Sequence, residues 1–193
     1  LLDALSRRFA AGGLRLKGLV REIVLSEAYQ RSSRVPGPGI APESYRVALP
    51  RALTAEQLAR SLMAAADVRP SSGGGKFNLK DYLNGKGAPP TSESDLLELF
   101  AAVFGNAPGE PETEFSPSTT HALFLMNDRL VLAWLKPLAE RGPSVEEIYL
   151  RVLSRRPSDV ERREADAFLA KHPKGAADLA WALVASAEFR LNH

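Results

Sequence analysis

Ser116-Pro117-Ser118-Thr119-Thr120-His121-Ala122-Leu123-Phe124-Leu125-Met126-Asn127-Asp128 is the stretch around which the chain is organised. Ala122 to Met126 is among the most apolar short windows of the sequence, and the stretch holds one of the three histidines. Ser116 as N-cap with Pro117 at the first helical position is a start signal, because the N–H that proline lacks has no helical partner there. Asn127 and Asp128 either end this helix or cap the next, Arg129–Arg141, in which Pro137 predicts a kink or an early stop. The expectation is a buried packing helix whose polar residues, His121, Asn127 and Asp128, form a helix–helix junction. Those three residues are the candidate site.

The segments on either side carry the same helical signature. Leu1–Ala11 reads as a short helix with Leu1, Leu2, Leu5 and Phe9 on one face, stopped by Gly12-Gly13. Leu14–Gln30 is the clearest amphipathic stretch, with Leu16, Leu19, Val20, Ile23, Val24 and Ala28 near one stripe. The two short helices predict an antiparallel pair. Thr54-Ala55-Glu56-Gln57, Ser144-Val145-Glu146-Glu147 and Ser158-Asp159-Val160-Glu161 have capping-box spacing and head three further helices. Ser92-Glu93-Ser94-Asp95 starts another, stopped by Gly105-Asn106, and one helical turn fits Phe77–Asn84 with Phe77, Leu79, Tyr82 and Leu83 packed. Ala176–Leu191 is apolar on most of its circumference, so it is expected among other helices.

Between these helices run two Pro/Gly-rich loops, Ser32–Leu53 and Val68–Thr91. No segment has a convincing strand pattern. The fold class is therefore all-α: a single irregular bundle of about eight or nine helices with two long loops, covering 1–193 as one domain.

Composition narrows the chemistry. The 193 residues are 45% hydrophobic and 25% charged, ordinary values for a globular chain able to bury a core. The 25 basic residues barely exceed the 23 acidic ones and form no long run, so nucleic acid is not an expected partner. The absence of cysteine excludes disulfides and thiolate metal sites on this chain. No apolar run reaches the roughly 18–20 residues needed to cross a bilayer.

The motifs are weak as chemistry and strong as structure. Ser72-Gly73-Gly74-Gly75-Lys76 lacks the spacing and the preceding strand of a phosphate loop and reads as a linker. His121, His172 and His193 have no ligand partner at metal spacing, so no metal and no cofactor is expected. His172 stands at a helix C-terminus, where a cation suits the dipole. No G-x-S-x-G elbow occurs, and carboxylate pairs such as Glu146-Glu147 fall in first turns, where the dipole accounts for them. Trp134, Trp181 and the phenylalanines have helical spacing typical of core.

Four stretches, in order, resemble one family. They are Leu1-Leu2-Asp3-Ala4-Leu5…Phe9 continuing to Leu16–Ser33; Leu53–Leu62; His121–Asp128; and Ile148–Pro157 with Trp181-Ala182-Leu183, Ser186-Ala187-Glu188-Phe189 and Asn192-His193. Together they resemble the C-terminal domain of unknown function found in large planctomycete proteins, often beside cytochrome-c-like domains. The family's Trp is replaced by Ala4, and its Gly-Trp-Asp-Leu-Lys run reads Gly13-Leu14-Arg15-Leu16-Lys17. An Asn/Arg/Trp-rich segment that precedes these stretches in the family implies that this chain is the C-terminal part of a larger protein.

The resemblance implies a secreted or cell-envelope bacterial protein and brings no catalytic residues with it. The expected role is a non-catalytic scaffold or interaction domain whose partners are other domains of the parent protein. One alternative is a glycan-binding or polysaccharide-processing domain, its loops covering a cleft near Asn127-Asp128. Another is a docking partner for a c-type cytochrome domain.

Overall fold

The computed structural model describes residues 1–31, 47, 51–71, 76–105 and 118–192. The chain divides into two compact units, one up to Pro50 and a larger one, Arg51–Asn192. The all-α class holds in both. The expected loop Ser32–Leu53 falls largely outside the described residues, as do Ser72–Gly75, Asn106, Ser116-Pro117 and His193.

In the first unit, α1 spans Leu2–Ala11 and α2 spans Leu16–Val24. Gly12 caps α1 as expected, and Gly13 at φ +71° and Leu14 at φ +57° turn the chain. Helix α2 is shorter than its amphipathic pattern. The Ser26 hydroxyl donates to the Ile23 carbonyl at 2.7 Å and accepts from the Tyr29 N–H at 3.3 Å. Gln30 Nε2 donates to the Val24 carbonyl at 2.8 Å. Side chains thus take over the last carbonyls and end the helix before its apolar pattern ends.

The second unit is a helical bundle: α3 (Ala55–Ala66), α4 (Leu79–Leu83), α5 (Glu93–Phe104), α6 (Thr119–Asn127), α7 (Arg129–Leu135), α8 (Leu138–Arg141), α9 (Val145–Leu153), α10 (Asp159–Lys171) and α11 (Ala176–Ala185). Helix α3 is its spine. It buries Ala55, Ala59, Ala65 and Ala66 alongside Leu58, Leu62 and Met63, and packs on α5, α9 and α7. Alanines at the contact let neighbouring axes approach closely, while the leucines fill the space between them. Leu96, Leu99 and Phe100 of α5, Ile148 and Val152 of α9, and Ala180 and Val184 of α11 complete the core.

All three capping boxes form. Thr54, Ser144 and Ser158 each accept from the N3 amide while Gln57, Glu147 and Glu161 reach back to the cap N–H. Pro137 stops α7 and a fresh turn, α8, follows it. The expected turn within Phe77–Asn84 is α4, but only Tyr82 is fully buried and Leu83 is 52% exposed. A five-residue helix presents too little surface to bury both faces.

Two further differences have physical reasons. Helix α11 ends at Ala185, where the Ser186 hydroxyl donates to the Leu183 carbonyl at 2.6 Å, and a 3-10 turn Glu188–Arg190 follows. A two-residue strand β1 (Arg51–Ala52) pairs antiparallel with β2 (Leu191–Asn192), tying the two ends of the unit. Two residues are too few to carry a strand's alternating pattern, so the sequence offers no sign of it.

The strongest polar tie is at Arg155, in the turn between α9 and α10. Its Nη atoms meet both oxygens of Glu161 at 2.9 and 2.7 Å, while Nε and Nη2 meet those of Glu188 at 2.5 and 2.8 Å. The guanidinium also lies 5.5 Å from the Tyr149 ring centroid. One planar fork therefore joins the turn before α10, the first turn of α10 and the 3-10 turn after α11.

The Arg155 hydrogen bonds hold the Glu161 carboxyl down at about 2, from an ordinary 4.5. Arg155→Ala leaves two part-buried carboxylates facing each other and should cost about 2 kcal/mol in urea denaturation, and Arg155→Lys should recover only part of it. A carboxylate with a depressed pKa stabilises the fold fully above pH 4.5, and this contribution fades as pH falls through about 2. The wild-type advantage over Glu161→Gln should follow that course in acid denaturation curves.

Candidate functional site

Asp128 sits between two helices and serves both. Its backbone N–H donates to the Phe124 carbonyl at 2.9 Å, closing α6, and its Oδ1 accepts from the Leu130 N–H at 2.8 Å, opening α7. The same oxygen accepts the hydroxyl of Tyr82 at 2.5 Å. Tyr82 is buried on α4, and the Arg129 guanidinium lies over its ring at 4.3 Å while Nη2 donates to the Gly87 carbonyl. Gly87 lies so close to α4 that an added Cβ would stand 2.9 Å from the Tyr82 nitrogen. The loop after α4 thus folds back over the helix and is pinned from α7. Burial, reinforced by the Asp128 carboxylate, pushes the Tyr82 phenol well above its ordinary value of 10.0, so it remains a neutral donor.

Of the other two candidates, only Asn127 lies at the same helix end as Asp128. His121 lies in the first turn of α6, and Asn127 is exposed at the opposite end. Six residues along a helix are about 9 Å, so one approaching group does not meet both side chains. The helix cap is Ser118, whose hydroxyl accepts from the His121 N–H at 3.2 Å. His121 packs its ring 4.9 Å from that of Phe104, beside the Phe100 and Phe124 rings. Partial burial lowers its pKa, and the nearby Arg190 charge adds to this. The expected buried packing helix is also corrected: in α6 only Leu125 is fully buried, while Leu123 and Met126 are 53% and 40% exposed. A helix at the bundle's surface needs one apolar face, and the remaining apolar side chains of α6 stay outside.

Met126 lines a cleft of about 440 Å³ between α6, α7 and α11, together with Leu132, Leu135, Ala177 and Trp181, with Lys136 and Asp178 its charged members. Trp181 forms a wall, and its Nε1–H donates to the Met126 carbonyl at 2.9 Å, satisfying a last-turn acceptor of α6. Helical spacing places Trp181 in the core, whereas the tertiary packing leaves it partly exposed at this cleft. Among the described residues no group of three or more His, Asp or Glu side chains has a geometry able to hold a metal ion.

The polar junction is thus a structural hub built on Asp128, with His121 at the far end of α6 and Asn127 next to Asp128 but exposed. Tyr82→Phe should lower stability by about 1 kcal/mol, since Asp128 keeps its capping role. Asp128→Ala should cost about 2–3 kcal/mol, because it removes the cap and leaves a buried phenol without an acceptor. Urea denaturation followed by circular dichroism measures both.

Comparison with known proteins adds one relationship. No curated protein and no solved structure matches the chain. The profile of one family matches residues 1–169, which include α1 to α9 and most of α10 but not α11 with its Trp181. The chain belongs to that family, described as PSD1, protein of unknown function (DUF1553).

Proposed function

We propose that this chain is a non-catalytic helical interaction domain of a larger bacterial envelope or secreted protein. The observation that carries the proposal is how its polar groups are used. Asp128 and Tyr82 are joined to each other and to the ends of helices, Arg155 is held by two carboxylates, and the cleft beside the junction is mainly apolar. Acid–base chemistry calls for titratable groups that converge on a substrate, and a docking surface calls for apolar relief with a few charges at its edge. The cleft with Trp181, Leu132 and the flanking Lys136 and Asp178 fits the second description. The bacterial envelope setting, and planctomycete origin with it, rests on the resemblance of the four sequence stretches alone.

Two competing partners can be separated in one screen. Glycan recognition would set several polar groups beside the aromatic ring, and docking to a c-type cytochrome would be sensitive to salt through charged rim residues. The purified chain should bind no glycan on an array. His121→Ala and Asn127→Ala should shift the melting temperature by a few degrees at most and change no binding. A glycan or cytochrome bound by the wild type and lost in either variant at unchanged melting temperature would overturn the proposal.

A further inference from the structure

Asn84-Gly85 is the only asparagine–glycine pair in the chain. Both residues are exposed, in the turn that closes α4. An asparagine side chain is open to attack at Cγ by the main-chain nitrogen of the next residue. Glycine hinders that attack least, because it has no Cβ and turns freely. The other asparagines, Asn78, Asn106, Asn127 and Asn192, are followed by Leu, Ala, Asp and His.

The closed turn holds the reacting atoms apart. The Gly85 N–H donates to the Tyr82 carbonyl at 2.9 Å, and those of Lys86 and Gly87 donate to the Asp81 carbonyl at 2.9 and 3.0 Å. Asn84 has ψ 7°, which places the Gly85 nitrogen beside the Asn84 nitrogen and away from Cβ. Ring closure needs the Gly85 nitrogen turned to the Cβ side, and that rotation breaks its bond to Tyr82. The turn is also held from α7, where Arg129 Nη2 donates to the Gly87 carbonyl. Apart from the adjoining residues, no described atom lies within 4 Å of where a Gly85 Cβ would stand, so water reaches this bond. A helix of five residues has little stability of its own, and its last turn opens locally more often than the bundle unfolds.

We propose that Asn84-Gly85 is a site of spontaneous deamidation, with water as the reactant, gated by opening of the α4 turn. In the open turn, base removes the Gly85 N–H proton and the nitrogen attacks Asn84 Cγ. The Cγ–Nδ2 bond breaks, and ammonia leaves with a proton taken from water. Water then adds to either carbonyl of the five-membered imide and breaks one C–N bond, leaving aspartate or isoaspartate at position 84. The isoaspartyl product runs the main chain through Cβ and Cγ. Lys86 and Gly87 then no longer both reach the Asp81 carbonyl, and the turn stays open. No cleft residue takes part, so the proposal stands apart from the reading of the chain as an interaction domain.

The test incubates the full chain at mildly alkaline pH and digests it with trypsin, which releases Asp81–Lys86 as one peptide for mass spectrometry. Asn84 should deamidate about tenfold more slowly than in a synthetic Asp81–Lys86 peptide, and faster as pH rises. Arg129→Ala, with circular dichroism unchanged, should speed the reaction about fivefold by releasing Gly87. Urea below the main unfolding transition should speed it too, and the aged chain should exchange its amides at 85–87 faster than the fresh one. Asn84→Gln should abolish the mass change, since its longer side chain does not close the same ring. An intact Asn84 in the folded chain long after the peptide has fully reacted would overturn the proposal. So would equal rates in chain and peptide, a rate unchanged by both Arg129→Ala and low urea, or deamidation of Asn127 as fast as that of Asn84.

Discussion

The longest described helix has thirteen residues, and most have ten or fewer. Helices this short are marginal in water, since nucleation costs more than a few propagating hydrogen bonds return. Their persistence depends on capping of free amides and carbonyls and on burial of one face against a neighbour. Many polar side chains of the larger unit serve this need. Thr54, Ser92, Ser118, Ser144 and Ser158 cap helix starts, and Ser186 and Trp181 satisfy carbonyls at helix ends.

Two residues extend this role across the bundle. Asp128 closes α6, opens α7 and accepts the Tyr82 hydroxyl from α4. Arg155 ties the α9–α10 turn to the first turn of α10 and to the 3-10 turn beyond α11. In both cases a charged group is held by several partners at once, and this fixes geometry more than it adds net stability. Groups held in this way serve the fold, which is why the proposed function rests on the apolar cleft.

The same economy explains how far the site could be read in advance. The capping boxes were legible because their chemistry is local: Thr54 with Gln57 and Ser158 with Glu161 need only a spacing of three. Asp128 was legible as a helix boundary for the same reason. Its bond to Tyr82 was not, because that partner comes from another helix in a distant part of the chain. Ser26 and Ser186 fall inside the helical patterns Leu14–Gln30 and Ala176–Leu191 yet end their helices, since a serine that ends a helix is identical in sequence to one that points into solvent. Ser116 was the expected cap of α6, but the cap is Ser118, whose hydroxyl accepts from the His121 N–H; Ser116 and Pro117 lie outside the described residues.

Local sequence therefore determined the all-α class, the helix starts at the three capping boxes, the stop at Pro137 and family membership over residues 1–169. These follow from hydrogen bonds and side-chain periodicities that span a few residues. Tertiary structure alone decided which apolar residues are covered: Leu125 lies inside while Leu123 and Met126 face out, and Trp181 becomes a cleft wall. It also joined Tyr82 to Asp128 and Arg155 to Glu188. Burial and long-range pairing depend on which helices meet, and no window of sequence contains both partners.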